Sequence, residues 1–298
     1  MTPIILYALL AAAPARDIIA NNAFFYYADL RGAFRFYTEK LGLETVADYG
    51  FAKILQVADT SYLILVDATK GMHTAAEPKT VAMALVTDEL EGWYERMKAL
   101  GVPMRNELEV VPGKPHHGFV AIDPEGYFLE FERFNPHPEN AKLLPLLERA
   151  PSLRTPGRPR ELGIKATILW MYYKDMAAIQ KFYGDVMGFD QVLDQGWAKI
   201  YANSPTGFIG PVDETKGMHR FSQDKGVTAS WFTTDVDSWL EYLKGQKSFR
   251  LRTPEIMDES GKVRVFVGYD PENYFLEFDT FLDVAGNEKL VEKLRAKR

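Results

Sequence analysis

The sequence predicts an α+β fold built from four βαβββ modules paired into two similar domains. Two observations carry this. The first is a long internal repeat. Tyr49-Gly50-Phe51-Ala52-Lys53-Ile54 returns as Gln195-Gly196-Trp197-Ala198-Lys199-Ile200, and Lys70-Gly71-Met72-His73 returns as Lys216-Gly217-Met218-His219, both 146 residues later. Asp123-Pro124-Glu125-Gly126-Tyr127-Phe128-Leu129-Glu130-Phe131 returns 147 residues later as Asp270-Pro271-Glu272-Asn273-Tyr274-Phe275-Leu276-Glu277-Phe278, so one residue is inserted between. Asn140 and Leu143 match Asn287 and Leu290, which extends the repeat into a trailing helix. The second observation is a shorter repeat within each half. Asp29 opens a helical stretch that ends at Leu41-Gly42, and 59 residues on Asp88 opens another that ends at Leu100-Gly101. Asp175 to Gly188 repeats the span, and a weaker copy runs from Asp235 to about Gly245.

The elements follow in order. Residues 4–13 are apolar, and Ala13-Pro14-Ala15 precedes Arg16. A short apolar run ending in a small-x-small site reads as a secretory signal peptide over 1–15, although Met1-Thr2-Pro3 brings no basic residue. Export to the periplasm or beyond is therefore the expectation; an uncleaved arm or first helix would leave the protein cytoplasmic. Each module then opens on an apolar strand: 22–27, 81–87, 167–173 and 227–233. An Asp or Thr after the strand offers an oxygen to the unpaired amides of a helix's first turn. Glycine near the helix end permits a left-handed stop in three of the four copies. Alternating strands complete the modules, at about 44–50, 51–58 and 62–67 in the first, and 104–110, 117–123 and 127–134 in the second. Asp123-Pro124-Glu125-Gly126 has the composition of a tight turn. Residues 20–134 and 164–281 thus form the two domains. A helix near 140–149 and a Pro-rich linker fill 135–163, and a terminal helix fills 282–298 with basic residues where its dipole favours them.

Composition narrows the function. The 298 residues carry 35 Lys and Arg against 41 Asp and Glu, a net charge of −6, with 47% hydrophobic residues. An acidic chain does not release phosphate counterions, so nucleic acid is not an expected partner. No apolar run approaches the roughly 20 residues of a membrane span. The absence of cysteine excludes disulfides, thiolate metal sites and cysteine nucleophiles. No phosphate-binding glycine loop and no serine nucleophile elbow occur.

Four βαβββ modules in two pairs resemble the vicinal oxygen chelate superfamily, which includes glyoxalase I, bleomycin resistance proteins and extradiol dioxygenases. The marks are Asp29 with Phe36-Tyr37 and Leu41-Gly42, then Asp123-Pro124-Glu125-Gly126 leading into Leu129-Glu130-Phe131; Asp175, Phe182-Tyr183, Gly188 and Leu276-Glu277-Phe278 repeat them. The resemblance implies that two modules curl around each of two cavities. In metal-dependent members, the first and last strands of each module supply His, Glu or Gln ligands. The implied positions here are Asn22, Ile64, Val81 and Glu130 in the first half, and Ile168, Gly210, Val227 and Glu277 in the second. A one-residue slip would substitute Ala23, Ala82, Ala166 or Thr228. A divalent metal needs several lone-pair donors around one point, and either set offers one carboxylate. The expectation is no cofactor, with a divalent metal as the alternative.

Glu130 and Glu277 would then face apolar hollows. There a raised pKa suits acid–base work, or else the carboxyls are inert relics held by neighbouring groups. Strand alternation places Phe24 and Tyr26 with Asn22, Trp170 and Tyr172 with Ile168, Trp231 with Val227, and Phe128 with Glu130. These rings either wall a cavity for a planar ligand or simply fill it. Only one of His116 and His117 can point inward; His117 is assigned to the site as a proton carrier. The Lys-Gly-Met-His segments read as connectors between modules, because a turn and a Met plug explain most of them.

The predicted function is a protein of the glyoxalase and bleomycin resistance type that binds a small hydrophobic or aromatic molecule without the usual metal. The alternative is a lyase, isomerase or dioxygenase of the same superfamily using a metal or Glu130. In a third arrangement, the second half is a scaffold. Ligand identity and oligomeric state are left open.

Overall fold

The computed structural model describes residues 17–297, so the signal-peptide reading of 1–15 lies outside the described residues. The first module runs β1 (Ile18–Tyr27), α1 (Leu30–Arg35) continuing through a π turn (Phe36–Lys40), β2 (Glu44–Asp48), β3 (Ala52–Ala58) and β4 (Ser61–Asp67). The second has β5 (Val81–Val86), α2 (Leu90–Ala99), β6 (His116–Ile122) and β7 (Phe128–Phe134), followed by α3 (Leu144–Arg149). The third repeats the first as β8 (Ala166–Tyr173), α4 (Met176–Lys181) with its π turn (Phe182–Val186), β9 (Asp190–Asp194), β10 (Lys199–Ser204) and β11 (Gly207–Asp213). The fourth has β12 (Val227–Thr233), α5 (Val236–Lys244), β13 (Arg250–Leu251), β14 (Met257–Glu259), β15 (Val263–Tyr269) and β16 (Phe275–Phe281), and α6 (Glu288–Arg295) closes the chain. No described helix is long and apolar enough to cross a membrane.

Local chemistry places these elements. Asp29, Asp175 and Asp235 cap their helices by accepting from the amides of Gly32, Ala178 and Ser238. Asp88 does not cap α2, which starts at Glu89 without a side-chain cap; Asp88 instead pairs with Lys165 at 2.9 Å. Gly42, Gly101 and Gly188 adopt positive φ at the helix ends, whereas Gly245 has φ −81°. The strand expected over 104–110 is absent apart from a single bridge from Met104 to Ala121. Pro103 lies just before that stretch and Pro112, Gly113 and Pro115 just after it, so a regular ladder cannot extend beyond it, although the Arg105 amide still donates to the Val120 carbonyl at 2.8 Å.

The modules pair differently from the expectation. A nine-stranded sheet runs β13-β15-β16-β12-β1-β4-β3-β2 with β14 on β15, joining the first module to the fourth. A seven-stranded sheet runs β6-β7-β5-β8-β11-β10-β9, joining the second to the third. The joints are antiparallel, Asn22 opposite Ser230 and Ala84 opposite Ile168. The two modules of one half therefore do not share a sheet. Because modules one and three are near copies, as are two and four, either pairing satisfies the same local pattern, and only long-range contacts choose.

Those contacts are symmetric, as across a two-fold interface. Asn21 Nδ2 donates to Thr167 Oγ1, its counterpart 146 residues away. The Thr60 and Thr206 amides donate to each other's hydroxyls at 2.8 and 2.9 Å. The Tyr127 hydroxyl accepts from the Tyr26 amide and donates to the Gly226 carbonyl, tying the second module to the first and fourth. Tyr274 does the same with Tyr172 and Thr80.

One core lies between the sheets and the helices, with Phe25, Tyr27, Trp93, Phe131, Trp231 and Phe278 buried in it. The opposite sheet faces form two hollows. Leu290 and Leu294 of α6 pack into the first-sheet hollow, and Leu143 and Leu147 beside and in α3 pack into the other.

Candidate functional site

The two hollows are equivalent in position and unequal in space. The first-sheet hollow holds a cavity of about 440 Å³, walled by Phe24, Tyr26, Ile54, Ile64, Val66 and Phe281, with Tyr49, Phe51 and Met72 toward solvent. Phe51 and Met72 are 39% and 40% exposed, large apolar side chains left at an opening. The second-sheet cavity is about 110 Å³, lined by His116, Glu130, Glu132, Trp170, Tyr172 and Trp197 among others. One exchange contributes to the difference. Where the first sheet has Phe24 beside Ile64, the second has Trp170 beside Gly210. A Cβ at Gly210 would overlap the six-membered ring of Trp170, so the indole lies flat on the glycine and fills the hollow.

Each cavity carries two carboxyls in alternation on its last strand, Glu277 and Asp279 on β16, Glu130 and Glu132 on β7. Ser230 Oγ donates to Asp279 Oδ2 at 2.5 Å. Glu277 and Asp279 lie close enough to share a hydrogen bond when one is protonated. Burial pushes Asp279 up to about 7 against the hydrogen bond from Ser230. Burial, then the charge of Asp279, holds Glu277 well above the usual carboxylate range. In the other cavity burial raises Glu130 to about 7 while Arg105 pulls it down, and burial and Glu130 raise Glu132. Such a pair cannot readily ionise twice, so it can hold a proton at neutral pH and give or take one.

The predicted site residues divide between these places. Phe24, Tyr26 and Glu277 line the large cavity; Trp170, Tyr172 and Glu130 line the small one. Phe128 packs beside the small cavity, stacked on the His219 ring at 4.5 Å. Asn22 borders a separate void of about 10 Å³ with Asn21, Asn203 and Ser230. Two assignments are corrected. Trp231 points into the central core, 5.2 Å from Phe278 and 5.5 Å from Phe189, because its strand's inward register is one residue off the expected one. His117 turns away from the cavity: its Nε2 accepts from the Val111 amide and its Nδ1 meets Asn135, so it pins the 105–115 loop. His116 is the histidine that enters the cavity wall.

Sequence reading missed Asp279, Tyr49, Lys70, Met72 and Glu259, all cavity-lining. Period-two alternation from Glu277 points to Asp279. Lys70-Gly71-Met72 is a wall rather than only a connector: Gly71 sits against the Tyr26 ring, where a Cβ would clash. His73 Nδ1 donates to the Glu77 carboxylate at 2.6 Å, and burial lowers the imidazole's pKa.

Residues 19–131 match the family described as the Glyoxalase/Bleomycin resistance protein/Dioxygenase superfamily. The match spans the first repeat. No curated protein matches the chain. Among solved structures, glyoxalase I from Zea mays is similar, with 14% identity, 94% of this chain and 96% of that chain covered, and a TM-score of 0.61. A putative dioxygenase from Bacillus subtilis subsp. subtilis str. 168 is similar at 14% identity, 91% and 86% coverage, and a TM-score of 0.61. These likenesses show that the superfamily's fold extends over both halves.

The superfamily's metal positions regroup with the sheets. Asn22 and Ile64 share a sheet with Glu277, whereas Val81 and Glu130 belong to the other. Val81 and Val227 face the central core, so Ala82 and Thr228 take the inward positions. The regrouped sets are Asn22, Ile64, Thr228 and Glu277, and Ala82, Glu130, Ile168 and Gly210. Each has one carboxylate; the Thr228 hydroxyl is engaged with the Tyr26 hydroxyl at 2.8 Å. Among the described residues no three His, Asp or Glu side chains group as a metal would require. The donor chemistry at these positions does not fit a tightly held divalent ion.

Proposed function

We propose that the protein binds one small hydrophobic or aromatic molecule in the first-sheet cavity, without the metal of its catalytic relatives. The observation that carries this reading is a 440 Å³ hollow with aromatic walls and an apolar mouth, in the volume range of small-molecule sites. The donor set supports the metal-free part, since an aliphatic side chain occupies one ligand position and an engaged hydroxyl another. The second-sheet hollow, filled by Trp170, acts as its closed counterpart. The scaffold role thus falls to a sheet built from both halves, rather than to the second half.

A second reading has its own support. The Glu277–Asp279 pair holds a proton near neutrality beside an open cavity, which suits proton transfer in an isomerase or lyase. Glu277, in the roomier hollow, replaces Glu130 as the favoured acid–base group.

Two measurements test the proposal. Displacement of a neutral dye such as Nile red from the dialysed protein is expected to saturate at one site per chain. Phe51→Ser is expected to weaken that binding about tenfold while leaving folding intact, because Phe51 is at the mouth. Stoichiometric Zn, Ni, Fe or Mn that survives dialysis would overturn the metal-free assignment.

A further inference from the structure

The first-sheet cavity has a charge pattern that its aromatic walls do not explain. Its lining includes the carboxyls of Asp258, Glu259, Glu277 and Asp279 against the single amine of Lys70. Two of the four, Glu277 and Asp279, sit on the inner wall. Apart from the proton it can share with Asp279, Glu277 receives no hydrogen bond from any described residue. Asp279, 2% exposed, has Ser230 as its partner. Holding two carboxyls side by side on this wall, Asp279 buried and Glu277 half-buried, is unfavourable unless something compensates them, and no basic side chain among the described residues hydrogen-bonds to either. The second sheet keeps a carboxyl pair, Glu130 and Glu132, but there Arg105 offsets Glu130, so the pair without a basic neighbour is that of the first sheet.

Resting on the small-molecule reading above, we propose that the ligand of the first-sheet cavity is a cationic amine, whose ammonium group sits on the Glu277–Asp279 pair while its apolar part lies against Phe24, Tyr26 and Tyr49. An ammonium donates up to three hydrogen bonds, which matches carboxyls short of donors. Aromatic faces around the site attract the same charge. An inorganic cation meets too few donors there, and the volume is far larger than an ion needs. An anionic ligand would face four carboxyls with one lysine to offset them.

Isothermal titration of three indole probes of nearly equal shape tests this at neutral pH: tryptamine (cationic), tryptophol (neutral) and indole-3-propionate (anionic). Tryptamine is expected to bind about tenfold or more tighter than tryptophol, with indole-3-propionate weakest. Glu277→Gln and Asp279→Asn are each expected to remove most of that preference, bringing the tryptamine and tryptophol affinities to within about threefold of each other. Equal binding of tryptamine and tryptophol, or a preference that survives both substitutions, overturns the amine assignment and leaves the cavity reading standing. Failure of all three probes to bind, with Nile red also excluded, overturns the cavity reading and the amine assignment together.

Discussion

A carboxyl group taken out of water keeps its proton to higher pH, and the strands β7 and β16 do this four times. Glu130 and Asp279 are raised to about 7, and Glu132 and Glu277 lie higher than their ordinary range. The unfolded chain releases these protons near pH 4. Between about pH 4 and 7 these four groups bind more protons in the folded state than in the unfolded state, so their contribution to stability falls as pH rises through that window, while His73, His116 and His219, lowered by burial, contribute in the opposite sense below about pH 6.5. Carboxylates held low by lysines, such as Glu44 beside Lys289 and Lys293, contribute in the opposite sense and only in more acid solution. Thermal unfolding followed by circular dichroism is expected to give a midpoint a few degrees higher near pH 5.5 than near pH 8. Glu277→Gln combined with Asp279→Asn should flatten part of that slope; an unchanged slope would show that the pair titrates normally. At this scale the sequence was partly legible. Glu130 and Glu277 were found because a repeated motif marks them. Their partners were one strand period away and went unnoticed. Trp231 and His117 were misplaced because a single-residue slip sends a strand side chain to the opposite face.

Helices and turns were the most legible elements, because their signals are local. The Asp-Pro-Glu turn is an example in which both carboxylates have a structural task. Asp123 accepts from the Tyr27 and Tyr37 hydroxyls and from the Glu125 and Tyr127 amides. Glu125 reaches across to the Ala28 and Asp29 amides at 2.9 and 2.7 Å, at the start of α1. Glu272 does the same for Lys174 and Asp175 ahead of α4. Replacement of either Glu by Ala should cost about 1 kcal/mol, equal in the two copies within error, as read from urea unfolding midpoints. Strands were harder where prolines flank them, as at 104–110 between Pro103 and Pro112. The contrast between the hollows was not legible at all, because it depends on Trp170 meeting Gly210 across two adjacent strands. Gly210→Ala is expected to destabilise by about 1–3 kcal/mol through overlap with the indole. Trp170→Phe should recover most of that loss in the double variant, since it installs the smaller ring found at Phe24. A double-mutant cycle with additive losses would mean that the two residues do not compete for the same space.

At the scale of the whole molecule, the duplication concealed the pairing it produced. Two halves that resemble each other suggest two self-contained domains, yet each sheet takes one module from either half. The sequence specifies each module's strand edges but not which copy completes them, because β5 and β12 are the same element of repeated modules and each is a buried strand that could present an edge to β1. The choice falls to contacts that only the assembled chain makes, among them Asn21 with Thr167, Thr60 with Thr206, and the two tyrosine bridges of Tyr127 and Tyr274. A consequence follows for chains cut in the 150–163 linker. Residues 17–150 alone would present the β1 and β5 edges without β12 and β8, exposing two unpaired ladders and half of the central core. The two halves produced together as separate polypeptides are expected to copurify as a one-to-one complex with the circular dichroism of the intact chain. The first half produced alone is expected to elute as a dimer in size-exclusion chromatography, with β1 of one copy paired to β5 of the other, or to aggregate. A monomeric first half that unfolds cooperatively would show that modules one and two can close a sheet by themselves, and the cross-paired arrangement would lose its energetic basis.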